Sequence, residues 1–214
     1  MPIKFAGGSG MLLSLLVALA FAGESAGSPR DPPLSANPSL AVIARAPDFV
    51  LRDASGDAVR LSSYRGRVVL LSFVFTTCSA ACPIITQQMA MLQQALKDGS
   101  LFGSRVVLLS VTVDPLNDTA QVLDRYAKTF GADPAGWRFL REEPARLEPV
   151  LKRYDEWTKR LMKGDLDHPA RIFLIDMTGS MREIYSLAYF NEKQTLVDIK
   201  ALLDHAVKRT PAAR

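Results

Sequence analysis

VVLLSFVFTTCSAACP, residues 68–83, decides the fold. The eight residues Val68 to Phe75 are nearly all apolar. A strand apolar on both faces must be covered on both, the habit of a central strand in a mixed or parallel sheet with helices above and below. Behind it, Pro83 suits the first turn of a helix, where its missing N–H costs nothing. Ile85, Met89, Leu92 and Leu96 then make the apolar stripe of a helix predicted to run to about Lys97. The turn between strand and helix carries Cys78 and Cys82, the only two cysteines of the chain.

Outward from this unit the pattern recurs. RVVLLSVTV (105–113) is a second strand buried on both faces, followed by Asp114-Pro115 and a helix with Val122, Leu123, Tyr126, Ala127 and Phe130 inward, capped by Asn117 or Asp118. A short helix is predicted near Ala145–Tyr154. RIFLI (171–175), the turn Asp176–Gly179 and MREIY (181–185) read as a hairpin, and Leu196, Ile199, Leu202, Leu203 and Ala206 mark one face of a last helix. Upstream, Phe49 and Leu51 face Val59 and Leu61 across Ser55-Gly56-Asp57, an N-terminal hairpin extension. Strand, helix, strand, helix, hairpin, helix is the order of an α/β thioredoxin-like sandwich with a central mixed sheet and flanking helices.

A chain of 214 residues, 48% hydrophobic, holds one well-buried core and a tail. Its net charge of +4 comes from interspersed Lys, Arg, Asp and Glu, which argues against a nucleic-acid-binding face. Lys4, the apolar run Met11–Gly23 and Ala20-Phe21-Ala22 read as an export signal. The uncharged stretch from Phe5 to Gly23 also approaches the length of a membrane anchor. The expected organisation is a signal or anchor at 1–23, a flexible Pro-rich tether at 24–45, the domain at 46–209 and a tail at 210–214. The domain is thus expected outside the cytosol, periplasmic or tethered to the membrane facing that side, where disulfides are permitted.

Cys78 and Cys82 therefore have three candidate uses: a structural disulfide, a redox couple and a soft-metal site. A cross-link over so short a loop removes little entropy from the unfolded chain, so it is a weak stabiliser. Both sulfurs fall beyond the carboxyl end of a central strand, the expected place for a site. At i and i+4 of a first helical turn they share a face, and the helix N-terminus favours a thiolate. In a redox couple Cys78 attacks and Cys82 resolves. For a metal, the third partner is a histidine. His205 sits in the last helix in a surface or structural position, whereas His168 stands in the loop before RIFLI. Two thiolates and an imidazole suit Cu(I) and also hold Cu(II). Zinc needs a fourth ligand, for which Asp114 or Asp167 is a candidate. Met89, Met91, Met162, Trp137 and Trp157 read as packing residues rather than ligands.

Phe75-Thr76-Thr77-Cys78 with Cys82-Pro83, Thr112-Val113-Asp114-Pro115 with Asp118-Thr119, and Asp167-His168 before Phe173-Leu174-Ile175-Asp176 together resemble the SCO/SenC family of thioredoxin-fold copper proteins. The resemblance runs in order from about Ala46 to Leu203. It implies a copper-binding metallochaperone with Cys78, Cys82 and His168 as ligands. The client it implies is the binuclear copper site of cytochrome c oxidase subunit II, which receives copper or has its cysteines kept reduced. An upstream copper carrier and N-terminal membrane anchoring are further implied partners. The alternative is an exported thiol–disulfide oxidoreductase using the same cysteines without metal. Two positions depart from the family pattern: Met177 in a turn, and Pro169 directly after His168, where a cis bond would turn the imidazole away from the sulfurs.

Overall fold

The structure, a computed structural model, describes residue 35, residues 38–161 and residues 166–209, the last four as helix backbone alone. The expected signal or anchor, most of the expected tether, the tail, Met162 and the Ala206 side chain lie outside the described residues.

In chain order the strands and helices are β1 (Ala44–Arg45), β2 (Val50–Asp53), β3 (Ala58–Arg60), a 3-10 turn at Leu61–Tyr64, β4 (Val68–Val74), α1 (Ala81–Asp98), β5 (Val106–Thr112) and α2 (Ala120–Thr129). There follow β6 (Trp137–Arg141), α3 (Pro144–Arg153), β7 (Lys159–Arg160), β8 (Leu166–Asp167), β9 (Arg171–Ile175), β10 (Ser180–Ser186) and α4 (Glu192–Arg209). One eight-stranded sheet has the order β1-β10-β9-β4-β5-β6-β2-β3, and β7 and β8 pair separately. β4, β5 and β6 are mutually parallel, and β9 runs antiparallel to β4. This is the expected thioredoxin-like α/β sandwich, its two central strands buried at every residue.

The two faces are closed differently. On one, Tyr154 at the end of α3 packs its ring against Phe73, Phe173 and Phe49, with centroids 5.4, 5.3 and 6.2 Å away. On the other, α1 meets α2 through Thr86 and Tyr126, and α4 packs on α1. Trp137 Nε1 donates to Ser110 Oγ at 3.0 Å, and Ser110 shares a hydrogen bond with Ser72, which satisfies these buried polar groups inside the sheet.

Several expectations need correction. α1 begins at Ala81, before Pro83, so Cys82 lies on the helix and Cys78 does not. The cap of α2 is Thr119, whose hydroxyl accepts from the Val122 N–H, and neither Asn117 nor Asp118 fills that place. Trp137–Arg141 is a strand the sequence reading passed over. The N-terminal hairpin is present as expected, and its strand β2 pairs with β6, so it extends the main sheet. The end of the expected tether is docked: Leu40 is buried, Arg182 binds its carbonyl, and Ala44–Arg45 pair with β10. No peptide bond among the described residues is cis, so the bond before Pro169 is trans. Gly179 closes the β9–β10 turn at φ +81°, where a Cβ would collide with the Arg65 guanidinium.

Candidate metal centre

Strand direction assembles the site. β4 and β5 run parallel and end at the same edge, at Val74 and Thr112. β9 runs the other way with Ile172 opposite Ser72, so it starts at that edge and the residues just before it, including His168, arrive beside the turn after β4. The antiparallel pair β7–β8, unforeseen in the sequence, delivers the chain to His168.

The cysteine-bearing turn is pinned by a carboxylate. Asp118, fully buried, accepts from the Thr76 N–H at 3.3 Å and from the hydroxyls of Thr76 and Thr112, both at 2.5 Å. It therefore ties the turn after β4 to the end of β5. Arg141 holds the same loop from outside through the carbonyls of Asp118 and Pro115.

Both cysteines are free thiols, Cys78 half-buried and Cys82 fully buried. No side chain caps α1 at Ala80. The Cys78 sulfur takes that role, accepting the Cys82 N–H at 3.4 Å. The Cys78 thiol is lowered to about 5, chiefly by a hydrogen bond from the Cys82 thiol, with partial burial opposing and the N–H groups of Cys82, Ala80 and Ala81 assisting. Cys82 is pushed the other way, first by donating to Cys78, then by burial and by the charges of Cys78 and Asp118. One thiolate and one retained proton result.

His168 Nε2 lies 3.7 Å from Cys82 Sγ. On its other side Nδ1 lies 3.4 Å from Glu156 Oε2, and the Phe75 ring packs edge-on with centroids 5.7 Å apart. Glu156 has no exposed side-chain surface, and its other oxygen faces Arg171 Nε at 3.3 Å without hydrogen-bond alignment. Burial raises the Glu156 carboxyl, while His168 and Arg171 pull it back down. Sequence reasoning missed Glu156 altogether. Its only signal was general: imidazole ligands commonly give their second N–H to a carboxylate.

The structure thus brings both Cys78 and His168 into hydrogen-bonding range of Cys82. Among the described residues no three His, Cys, Asp or Glu side chains form a ready-made metal cluster, so the reduced group must draw in around an ion. The spacing fits that step. Bonds of about 2.3 Å to sulfur and about 2.0 Å to imidazole nitrogen set the two donors about 3.5 Å apart at a tetrahedral angle and about 3.7 Å at a trigonal one. Neither acid considered for zinc completes the set, since Asp114 is engaged by Asn117 at 2.7 Å and faces Arg160, and Asp167 is exposed. His205 is exposed on α4, Met89 and Trp137 are core, and Met91 and Trp157 are surface residues. A cleft of about 340 Å³ lined by Asp114, Leu116, Leu147, Arg160 and Leu166 lies between the β5–α2 loop, α3 and β7–β8, and neither sulfur lines it.

The SCO1/SenC family model matches residues 41–204. A SCO1 protein homolog of Bacillus subtilis is 29% identical over 141 residues, 64% of this chain and 72% of that protein. The chain spans 64% of the length of further relatives that it matches. Bradyrhizobium japonicum ScoI, solved with copper bound, is 28% identical with a TM-score of 0.63, covering 74% of this chain and 99% of that one. BsSco, described as a member of the Sco family of cytochrome c oxidase assembly proteins and as having a disulfide switch, is 25% identical with a TM-score of 0.65, covering 75% and 95%.

Proposed function

Because this chain belongs to the SCO1/SenC family, we propose that it is an exported copper carrier in cytochrome c oxidase assembly, with the binuclear copper site of subunit II as its client. The observation that carries the reading is that Cys82 Sγ lies beside both the Cys78 thiolate, to which it gives its proton, and His168 Nε2, 3.7 Å away. A soft cation replaces that proton and gains two thiolates and an imidazole. Cu(I) and Cu(II) are the cargo. Release proceeds by exchange, the client's thiolates displacing Cys78 and Cys82 one at a time while His168 keeps the ion from escaping to water. Among the described residues no helix is long and apolar enough to cross a membrane. His168→Ala tests the reading. Two thiolates alone satisfy a linear Cu(I), so the variant keeps Cu(I) and loses Cu(II) more than tenfold in competition titrations. Equal retention of both ions removes His168 from the site.

A second reading draws on the asymmetry of the two sulfurs. With Cys78 lowered to about 5 and Cys82 held protonated, the pair is ordered as nucleophile and resolving thiol. The Cys78 thiolate attacks a client disulfide, forming a mixed disulfide and expelling one client thiolate, which takes up the proton Cys82 gives. Cys82, now a thiolate, attacks Cys78 Sγ, the second client sulfur leaves as a thiolate that takes its proton from water, and two electrons have passed to the client as Cys78–Cys82 is oxidised. Cys82→Ser stops the cycle at the mixed species. Incubation of that variant with an oxidised copper-site peptide of subunit II should trap a covalent adduct; failure to trap one counts against this role.

A further inference from the structure

Glu156 has a position that neither the sulfur chemistry nor the fold requires. An ionised carboxylate only accepts hydrogen bonds. With Oε2 at 3.4 Å from His168 Nδ1, the proton of a neutral imidazole belongs on Nδ1, and Nε2 turns its lone pair towards Cys82 Sγ. Both side chains are shielded from water, 4% exposed for His168 and none for Glu156, so the interaction is weakly screened. Arg171 Nε lies 3.3 Å from the other carboxylate oxygen, an ion pair without hydrogen-bond alignment.

We propose that Glu156 is a positioning residue that sets the oxidation-state preference of the site, favouring Cu(II) over Cu(I). The inference rests on the copper-carrier reading. A carboxylate drawing on Nδ1–H makes the opposite nitrogen a stronger donor. Cu(II) uses that donor fully, whereas Cu(I), satisfied by two thiolates, gains little from it. Glu156 thereby tilts the cargo towards the oxidised ion without touching it, and Arg171 keeps the carboxylate in line.

Glu156→Gln preserves shape and burial while removing the charge that polarises the imidazole. The expected result in the full chain is a loss of Cu(II) affinity of about 10- to 100-fold with Cu(I) affinity unchanged. At 59 mV per decade for one electron, the potential of the bound copper then rises by about 60–120 mV. A merely structural role would weaken both ions alike and leave the potential where it was, which would overturn the inference. A second readout needs neither the variant nor copper: nitrogen NMR of the reduced, metal-free wild type should show His168 as the Nδ1–H tautomer, and the Nε2–H tautomer contradicts the assignment. Failure of the wild type to bind copper at all sinks the carrier reading and this preference with it, whereas binding with an unmoved potential in Glu156→Gln sinks the preference alone.

Discussion

Cys78→Ser should abolish copper loading of the reduced protein at neutral pH. The substitution removes the one sulfur already ionised there, and the serine hydroxyl in its place is a hard, protonated oxygen that a soft ion does not favour. Cys82 loses its acceptor but stays buried beside the Asp118 charge, so it does not ionise in compensation. The loss should exceed the roughly 10- to 100-fold that follows removal of a ligand's hydrogen-bond partner. In the wild type the same chemistry gives a pH dependence of definite sign. The thiolate of Cys78 exists above about 5 and disappears as pH falls through that value. Above it, copper displaces one sulfur-bound proton, from Cys82; below it, copper must displace a second, and the fall of affinity with pH steepens. Equilibrium dialysis from pH 4 to 8 checks both statements. Loading of Cys78→Ser within tenfold of wild type, or a wild-type slope that does not change near pH 5, would remove Cys78 from its assigned role.

Phe73→Ala should be among the most destabilising single substitutions in the domain. Phe73 has no exposed surface and its ring meets Tyr154 at 5.4 Å and Phe173 at 5.9 Å. Truncation leaves a cavity between strand and helix, because Tyr154 is held by its hydroxyl to the Pro47 carbonyl at 2.8 Å and does not collapse inward. Such changes cost about 3–5 kcal/mol, a large share of the roughly 5–15 kcal/mol available to a domain. The melting temperature should drop on the order of 10 °C. Chemical denaturation of the reduced proteins measures it, and a loss below about 1 kcal/mol would mean that the aromatic block is not a single packed unit. β4 leads directly to the cysteine turn, so the variant should also bind copper more weakly, in proportion to its unfolded fraction.

Some of this architecture is written locally in the chain and some is not. β4 and β5 were legible because a run apolar on both faces has few other uses, and their burial at every residue follows. β6 was not. Its five residues WRFLR put two arginines in a short run, and what makes them tolerable is remote: Arg138 pairs with Asp53, and Arg141 reaches the loop after β5. Three cap formers in a row, Asn117-Asp118-Thr119, left the start of α2 ambiguous. The choice was made by the hydroxyls of Thr76 and Thr112, which claim Asp118 for the interior.

The site divides in the same way. Cys78, Cys82 and His168 were recognisable because their types are scarce and their order is informative. Glu156 was hidden in a charged stretch, Asp155-Glu156-Trp157-Thr158-Lys159-Arg160, that has the composition of a solvated surface. Its burial depends on His168 and Arg171, which arrive only when β9 is laid against β4. The two-residue strand β1 was obscured for a related reason. Its pairing with β10 is fixed by neighbours such as Arg182, and the proline-rich composition around it resembles a tether.

The most direct test of the central claim is X-ray absorption at the copper edge of the wild-type protein loaded with one equivalent of Cu(II). Two sulfur scatterers near 2.3 Å and one imidazole nitrogen near 2.0 Å, with the imidazole signal lost in His168→Ala, are the expected result. A copper shell without sulfur, or an imidazole signal that survives His168→Ala, would contradict a site built from Cys78, Cys82 and His168.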